Sequence, residues 1–182
     1  MKKKTITLDN VSLHNKRLIT LWQHDHFKSK NIKHLDGTFV CSNLFSVYVY
    51  TTNKDDSAIK LLAQRVDTKI SDILGELRAY IRSEQRKLHK LQSNTLISHF
   101  TAPEPVKINI DKDKISPTIL SLVKIFIAID NHIVETNQSK IDGDISTNEC
   151  NAFQNHMFKQ LNITLNELKM ICAKFHKIRK SQ

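Results

Sequence analysis

Residues 106–130, with the sequence VKINIDKDKISPTILSLVKIFIAID, contain a predicted strand followed by a predicted helix. Apolar and polar residues alternate over the first six positions, which is typical of a strand with one buried and one exposed face. Ser116 then offers a capping hydroxyl, and Pro117 suits the first position of a helix. The apolar residues that follow are three or four positions apart, so we expect the helix to continue to about Glu135.

Two further capping signals follow this helix. After a turn at Asp142-Gly143, the segment Ser146-Thr147-Asn148-Glu149 matches a capping box, in which the serine and the glutamate cap each other's backbone. This box predicts a second helix over Thr147–Gln160. A similar box, Thr164-Leu165-Asn166-Glu167, predicts a separate last helix that ends on several lysines.

The N-terminal half contains a long amphipathic pattern. From Asp55 to about Gln92, apolar residues recur every three or four positions, which predicts a helix of about 55 Å. Such a helix is longer than a small domain is wide, so we expect it to pack on another helix or on a second subunit. Its other face carries the basic residues Lys60, Arg65, Lys69, Arg78, Arg82, Arg86 and Lys87.

Three shorter segments precede the long helix. After a turn signal at Asp36-Gly37, the residues of Thr38–Thr52 are rich in Val, Tyr and Phe, which favours a strand. The alternating segment Lys4–Leu8 is a second strand candidate, and Val11–Trp22 has the spacing of a helix.

The segment Ser98–Pro105 holds two of the three prolines and predicts a linker. It divides the chain into an N-terminal region, residues 1–97, and a C-terminal region, residues 98–182. We therefore predict a mainly α-helical protein with a few short strands.

Composition points to a polyanionic partner. The chain has 28 Lys and Arg against 18 Asp and Glu, with a formal net charge of +10 and a pI near 9.6. Nucleic acid is the first expectation, and a basic solvated surface is the alternative. No signal peptide is expected, because polar residues from Thr5 to Ser12 interrupt the segment that follows the basic residues Lys2–Lys4. No membrane span is expected, because the most apolar segment, Ile119–Ile129, is too short to cross a bilayer and contains Lys124. Three cysteines without a CxxC pair indicate reduced core thiols in the cytoplasm.

The strand Val106–Asp111 suggests how such a partner is bound. A single strand needs a second strand for its backbone hydrogen bonds. Two copies that pair these strands antiparallel across a twofold axis would form a ribbon-helix-helix unit in the C-terminal half, whose ribbon fits the major groove of DNA. Exposed strand residues would contact bases, and the amides that begin the second helix would hold a phosphate. The predicted DNA-binding residues are Lys107, Asn109, Asp111, Lys112, Lys114, Ser146 and Thr147.

Each part of this prediction has an alternative. Asp111 is anionic and is equally suited to a turn outside the groove. The strand can instead pair within its own chain, for example with Val47–Tyr50, and Lys4–Leu8 is a rival for the ribbon strand. The basic face of the long helix either lies along DNA phosphates or is a solvated exterior with ion pairs.

The sequence gives no sign of catalysis or of a cofactor. Only three glycines are present, and no GxGxxG, GxSxG or HExxH motif occurs. The segment His24-Asp25-His26, with His14 and His34 nearby, lacks a thiolate or carboxylate cluster, so we expect no metal site. We therefore expect a protein that is not an enzyme.

Several segments resemble the AcaB-type regulators of integrative and conjugative elements and related plasmids. These segments are Leu13-His14 with Arg17 and Leu21-Trp22, then Lys54-Asp55-Asp56-Ser57-Ala58, and Pro105-Val106-Lys107-Ile108 before Ser116-Pro117. This chain is shorter and poorer in arginine than the family pattern. The resemblance implies a ribbon-helix-helix transcriptional activator that controls conjugative transfer and binds promoter DNA as a homodimer.

Two other functions stay open. One is a protein-interaction adaptor of a mobile element, in which the long helix binds a partner and nucleic-acid affinity is nonspecific. The other is an RNA-binding module, which we rank last because the aromatic residues lie mainly in apolar contexts rather than where bases would stack.

Overall fold

A computed structural model describes residues 8–24, 35–52, 57–93 and 100–181. This part of the chain is mainly helical, with one two-stranded antiparallel sheet, which confirms the predicted fold class at that level. The elements are a 3-10 helix (Leu8–Asn10), β1 (Ser12–Leu13), α1 (Lys16–Trp22), α2 (Gly37–Thr52), α3 (Ser57–Leu91), β2 (Val106–Lys107), α4 (Pro117–Ile141) and α5 (Thr147–Lys180).

The predicted strand Thr38–Thr52 is wrong, because this segment forms the helix α2. Asp36 caps the helix: its Oδ1 accepts a hydrogen bond of 2.8 Å from the backbone N–H of Phe39. Val40, Leu44 and Val47 are then buried on one side of α2, at helical spacing. Burial of this stripe outweighs the β preference of the valines and tyrosines.

The predicted turn at Asp36-Gly37 is the start of that helix. The backbone of Gly37 lies against the indole of Trp22, and a Cβ at this position would come within 2.7 Å of the ring atom Cε3. Glycine is therefore used here for close approach, since any side chain would force the indole to move.

The predicted long helix is confirmed as α3, which spans about 52 Å at the usual rise per residue. It packs on α2, α4 and α5 of the same chain. Its buried side includes Ile70, Leu74, Ile81 and Leu88 at intervals of four or seven residues. These helices of the same chain provide the packing surface that we expected for a helix of this length.

The predicted start of α4 is confirmed. The Ser116 hydroxyl accepts a hydrogen bond of 3.2 Å from the backbone N–H of Ile119, and Pro117 is the first helical residue. The helix runs past Glu135 to Ile141. By length and composition α4 could cross a membrane, but more than half of its apolar window is buried inside the helical bundle.

The helix α5 begins at the predicted capping box but does not end at Gln160. It continues without a break to Lys180, so the separate last helix predicted from Thr164 is wrong. Neither Gly nor Pro interrupts the segment, and the apolar spacing continues through Leu161, Leu165 and Leu168, all buried.

The partner of the predicted strand lies in the same chain. Residues of β2 pair antiparallel with β1, with Val106 opposite Leu13, and the backbone N–H of Ile108 donates to the carbonyl of Val11 over 3.0 Å. This is the intramolecular alternative, with β1 in place of Val47–Tyr50. The ribbon-helix-helix unit is not confirmed.

Two other N-terminal predictions have different outcomes. Residues 4–7 of the rival ribbon strand lie outside the described residues, and Leu8 begins a 3-10 helix. The helix predicted over Val11–Trp22 is wrong at its start, because β1 occupies Ser12–Leu13 and the helix α1 begins at Lys16.

One hydrophobic core includes side chains from both sides of the predicted linker. At one end of the bundle Leu88 of α3 packs with Ile145 and Cys150 at the start of α5. At the other end Tyr50 of α2 contacts Phe175 near the end of α5, with ring centroids 5.7 Å apart. Because only four residues separate the end of α2 from the start of α3 in the sequence, the helices α3 and α5 run antiparallel.

Candidate nucleic-acid interface

The predicted strand Val106–Asp111 is too long, because β2 covers only Val106–Lys107, but the predicted alternation of buried and exposed side chains continues beyond β2. Lys107 and Asn109 are exposed, whereas Ile108 and Ile110 are buried. The Asn109 carbonyl accepts a hydrogen bond of 3.0 Å from the indole N–H of Trp22, which fixes the backbone after β2. The two predicted base-contacting side chains therefore lie at the surface, on a backbone that is hydrogen-bonded to Val11 and Trp22.

Asp111 is a turn residue, as its charge suggested. Its Oδ1 accepts a hydrogen bond of 3.1 Å from the backbone N–H of Asp113, and its Oδ2 lies 2.9 Å from Nζ of Lys114. The hydrogen bond from Lys114 is the main reason that the pKa of Asp111 is lowered. This pairing offsets part of the Lys114 charge, and Lys112 lies exposed in the same turn.

The predicted phosphate site at Ser146 and Thr147 holds a carboxylate of the chain itself. Glu149 Oε2 accepts hydrogen bonds from the backbone N–H of Ser146 over 2.8 Å and from its hydroxyl over 2.7 Å. These bonds lower the pKa of Glu149, the backbone bond contributing most. A phosphate at this helix end would therefore meet an anion that the capping box already supplies.

The predicted DNA-binding residues form two groups rather than one. Lys107–Lys114 lie before the start of α4, and Ser146 and Thr147 lie beyond its end. A helix of 25 residues separates the groups by about 37 Å along its axis. A single chain does not bring the two groups together.

One basic surface lies on the C-terminal half of α3. Arg82, Arg86 and Lys90 are exposed at four-residue intervals, and His89 is exposed beside them. We call these four residues the α3 basic row. The side chains of Arg82, Arg86 and His89, with Ala79 and Gln85, line an open groove of 480 Å³.

No exposed acid of α3 lies within this row. Beyond Glu76, the single acidic residue of α3 is Glu84, which is buried and paired with Lys87. The hydrogen bond to Glu84 raises the pKa of Lys87. Arg82, Arg86 and Lys90 therefore have no exposed acidic neighbour within α3 beyond Glu76, whereas the half-buried Glu135 of α4 lies near His89.

Two residues of the predicted basic face have internal partners. Arg78 donates to the Ser121 hydroxyl of α4, and Lys87 is bound by Glu84 as described above. Arg65 and Lys69 are exposed further towards the start of α3, where Asp72 and Glu76 are exposed as well. Net positive charge is thus concentrated from Arg82 onwards.

The C-terminal end of α5 is also basic. After Glu167 the described chain carries no acid, and the exposed lysines are Lys169, Lys174, Lys177 and Lys180. Arg179 stacks over the ring of Tyr50, with 4.8 Å between the guanidinium and the ring centroid. The pKa of His176 is lowered by burial and then by the charges of Arg179 and Lys180.

A buried carboxylate that the sequence analysis missed anchors the N-terminal segment. Asp130 of α4 accepts hydrogen bonds of 2.9 Å from the backbone N–H groups of His14 and Asn15, and its Oδ2 lies 2.7 Å from Nδ1 of His14. The feature of the sequence that could have identified this anchor is an aspartate directly after the apolar segment Ile119–Ile129 of α4. Because three groups of one short segment converge on it, Asp130 fixes the chain that enters α1.

This anchor borders a cavity of 420 Å³ between β2 and α4. Its polar lining includes His14, Lys16, Glu104 and Asn137. Other residues quoted for the family resemblance have packing roles: Leu13 is buried, and the Arg17 guanidinium lies 4.1 Å from the centroid of the Phe158 ring.

Among the described residues, no three His, Cys, Asp or Glu side chains are grouped as metal ligands would be. The residues Asp25, His26 and His34 lie outside the described part of the chain. Comparison with family models, curated proteins and solved structures finds no match to this chain.

Proposed function

We propose that this protein binds double-stranded DNA and regulates transcription of the transfer genes of a mobile element. The single observation that carries DNA binding is the α3 basic row, in which the cations are exposed at regular spacing and no exposed acid of α3 follows Glu76. The regulatory role and the mobile element come from the resemblance to AcaB-type regulators. Their test is the preference for one regulatory sequence over others.

The α3 basic row suits a phosphate backbone. From Arg82 to Lys90 the helix rises about 12 Å. A DNA strand places a phosphate about every 3.4 Å along the duplex axis, so three or four phosphates lie beside that length of helix. Arginine can bind a phosphate through two parallel hydrogen bonds, and the open groove leaves room for such contacts.

Contacts to phosphate position a protein on DNA but do not read its sequence. Lys107 and Asn109 supply side chains that can do so, because lysine suits the acceptors of guanine and asparagine suits adenine. Both side chains are exposed on a backbone fixed by β1 and Trp22. We therefore assign base contacts to these two residues, and these contacts require no ribbon formed between subunits.

The phosphate contact at Ser146 and Thr147 is not part of this proposal, since Glu149 already caps that helix end. Lys112 and Lys114 are both exposed in the turn that follows the base-contacting residues, and Lys114 is paired with Asp111. We assign both lysines to the phosphates that flank the bases.

A second candidate is a protein-interaction adaptor with only nonspecific affinity for nucleic acid. Exposed apolar side chains at helical spacing on α5, among them Ile163, Met170 and Ile178, favour it. The two candidates differ in one measurable property. A regulator discriminates between DNA sequences, and an adaptor does not.

The test is a fluorescence-anisotropy titration of the full chain against tiled fragments of the regulatory DNA from its own element, with a scrambled fragment as control. We expect one fragment to bind about a hundredfold more tightly than the control, and to keep that preference as salt rises from about 50 to about 200 mM. Equal binding to all fragments, lost at the higher salt, would leave the adaptor in place of the regulator.

A further inference from the structure

The helix α5 has an exposed face on which apolar and charged side chains alternate. Ile163, Met170 and Ile178 are 49%, 55% and 44% exposed. Glu167 and Lys174 lie between them and are also exposed. Intervals of three and four residues place all five on one side of the helix, over about 22 Å. We call this set the α5 seam.

The α5 seam lies apart from the side of α5 that packs in the core. Leu161, Leu165, Leu168, Cys172 and Phe175 form the packed side, and each is buried. Three large apolar side chains in one line cost hydration free energy that a partner would recover. A partner that covers the α5 seam must match both its apolar positions and its charges.

In the α5 seam, one isoleucine and one charged residue lie on each side of Met170 at nearly equal spacing. Ile163 lies seven residues before Met170 and Ile178 lies eight after it, while Glu167 lies three before and Lys174 four after. If a second copy of α5 runs antiparallel with its Met170 at the same level, Ile163 faces the partner's Ile178. Glu167 then faces the partner's Lys174, on the same side of the contact. Such a self-complementary patch is what a twofold interface requires.

The charges of the α5 seam support the same partner. Among the described residues, neither Glu167 nor Lys174 has an ion-pair partner within its own chain. Glu167 and Glu149 are the two acids of α5, and Glu149 is used in the helix cap. Glu167 thus supplies negative charge at the level where the antiparallel partner brings a lysine. Two such pairs offset part of the repulsion between chains with a formal charge of +10 each.

We propose that two copies of this protein associate through the α5 seam as an antiparallel, twofold-symmetric dimer. The contact uses neither β2 nor the α3 basic row, so it forms without DNA and differs from a dimer made by strand pairing. It leaves both proposed DNA-binding surfaces outside the interface. The failure of this proposal is therefore distinguishable from the failure of DNA binding.

The first test is sedimentation equilibrium of the full chain without DNA. Met170→Glu places two carboxylates beside the twofold axis, and we expect it to weaken dimerisation at least about tenfold, equal to about 1.4 kcal/mol. Ile141→Glu is the matched control, because Ile141 is 54% exposed at the end of α4 and lies outside the seam. The control is expected to dimerise like the wild type. A wild-type chain that stays monomeric, or a dimer that both variants weaken equally, would overturn the proposal.

Charge reversal gives a second, independent test. Glu167→Lys and Lys174→Glu each place like charges opposite one another, and each is expected to weaken the dimer. The double variant Glu167→Lys/Lys174→Glu restores opposite charges across the axis and is expected to recover wild-type dimerisation. All three changes are on the exposed side of α5, and unchanged helical circular dichroism verifies folding. Additive weakening in the double variant would rule out the antiparallel pairing.

Discussion

Replacing Arg82, Arg86 and Lys90 by glutamine removes three cations from the exposed side of α3 while keeping side chains that favour a helix. If each cation neutralises one DNA phosphate, the slope of log K against log salt falls by about 2.7, because each contact contributes about 0.9. Between about 50 and about 200 mM salt, the wild type then loses about 40-fold more affinity than the variant.

The assay is an anisotropy titration of both proteins with one DNA fragment at several salt concentrations. The matched control is Lys124→Gln/Lys159→Gln/Lys169→Gln, which removes the same charge from exposed positions on α4 and α5. We expect this control to keep most of the wild-type slope. Thermal unfolding of each variant checks that folding is preserved.

Equal slopes for the row variant and the control would refute the reasoning, because affinity would then depend on net charge alone. An unchanged slope in the row variant would show that the α3 basic row does not contact phosphate. Either result would move the DNA-binding surface elsewhere on the molecule.

Four other variants test separate features of the protein. The Lys107→Ala and Asn109→Ala variants should each reduce discrimination between the preferred and scrambled fragments by about 1–3 kcal/mol, with little change in the slope of log K against log salt. Unchanged discrimination would show that these residues do not contact bases. Asp130→Asn should lower the free energy of unfolding in urea by about 1–3 kcal/mol, because an amide cannot accept all the hydrogen bonds that His14 and Asn15 donate. A urea midpoint equal to that of the wild type would contradict the anchoring role of Asp130. Burial lowers the pKa of His132 to about 4, so the unfolded state binds more protons between that value and about 6.5, and stability should fall by up to about 3 kcal/mol as pH drops through this window. His132→Phe should remove that part of the pH dependence, and identical urea-unfolding profiles for wild type and variant would exclude the histidine as its source.

The parts of the fold that depend on local sequence were predictable. The amphipathic period of α3 and the caps at Ser116 and Ser146 act within a few residues of where they occur. Their predicted positions agree with the structure to within two residues. Predictions from local sequence were wrong where the segment could form two local structures and packing against distant residues determined which one formed.

The helix α2 is the clearest case of that failure. Its valines and tyrosines favour a strand, yet Val40, Leu44 and Val47 have helical spacing and are buried by α3 and α5. In α5 the sequence around Thr164 matches a cap, but buried leucines on both sides continue the helix through it. Tertiary contacts determined both outcomes, and these are not visible in a short window of sequence.

Some features of the candidate site were also predictable from local sequence, and others depend on distant contacts. The alternation that exposes Lys107 and Asn109 is local, and it was predicted correctly. The strand's partner lies more than ninety residues away in the sequence, and so does the donor segment of Asp130. The capping box at Ser146 was recognised, but it also meant that Glu149 would compete with a phosphate there.

The most direct test of the central proposal is the ratio of two dissociation constants at about 200 mM salt, one for the best regulatory fragment and one for its scrambled control. Sequence-specific DNA binding predicts a ratio of at least about a hundred, from base contacts that added salt does not screen. A ratio near one would contradict a transcriptional regulator and leave the α3 basic row as a nonspecific surface.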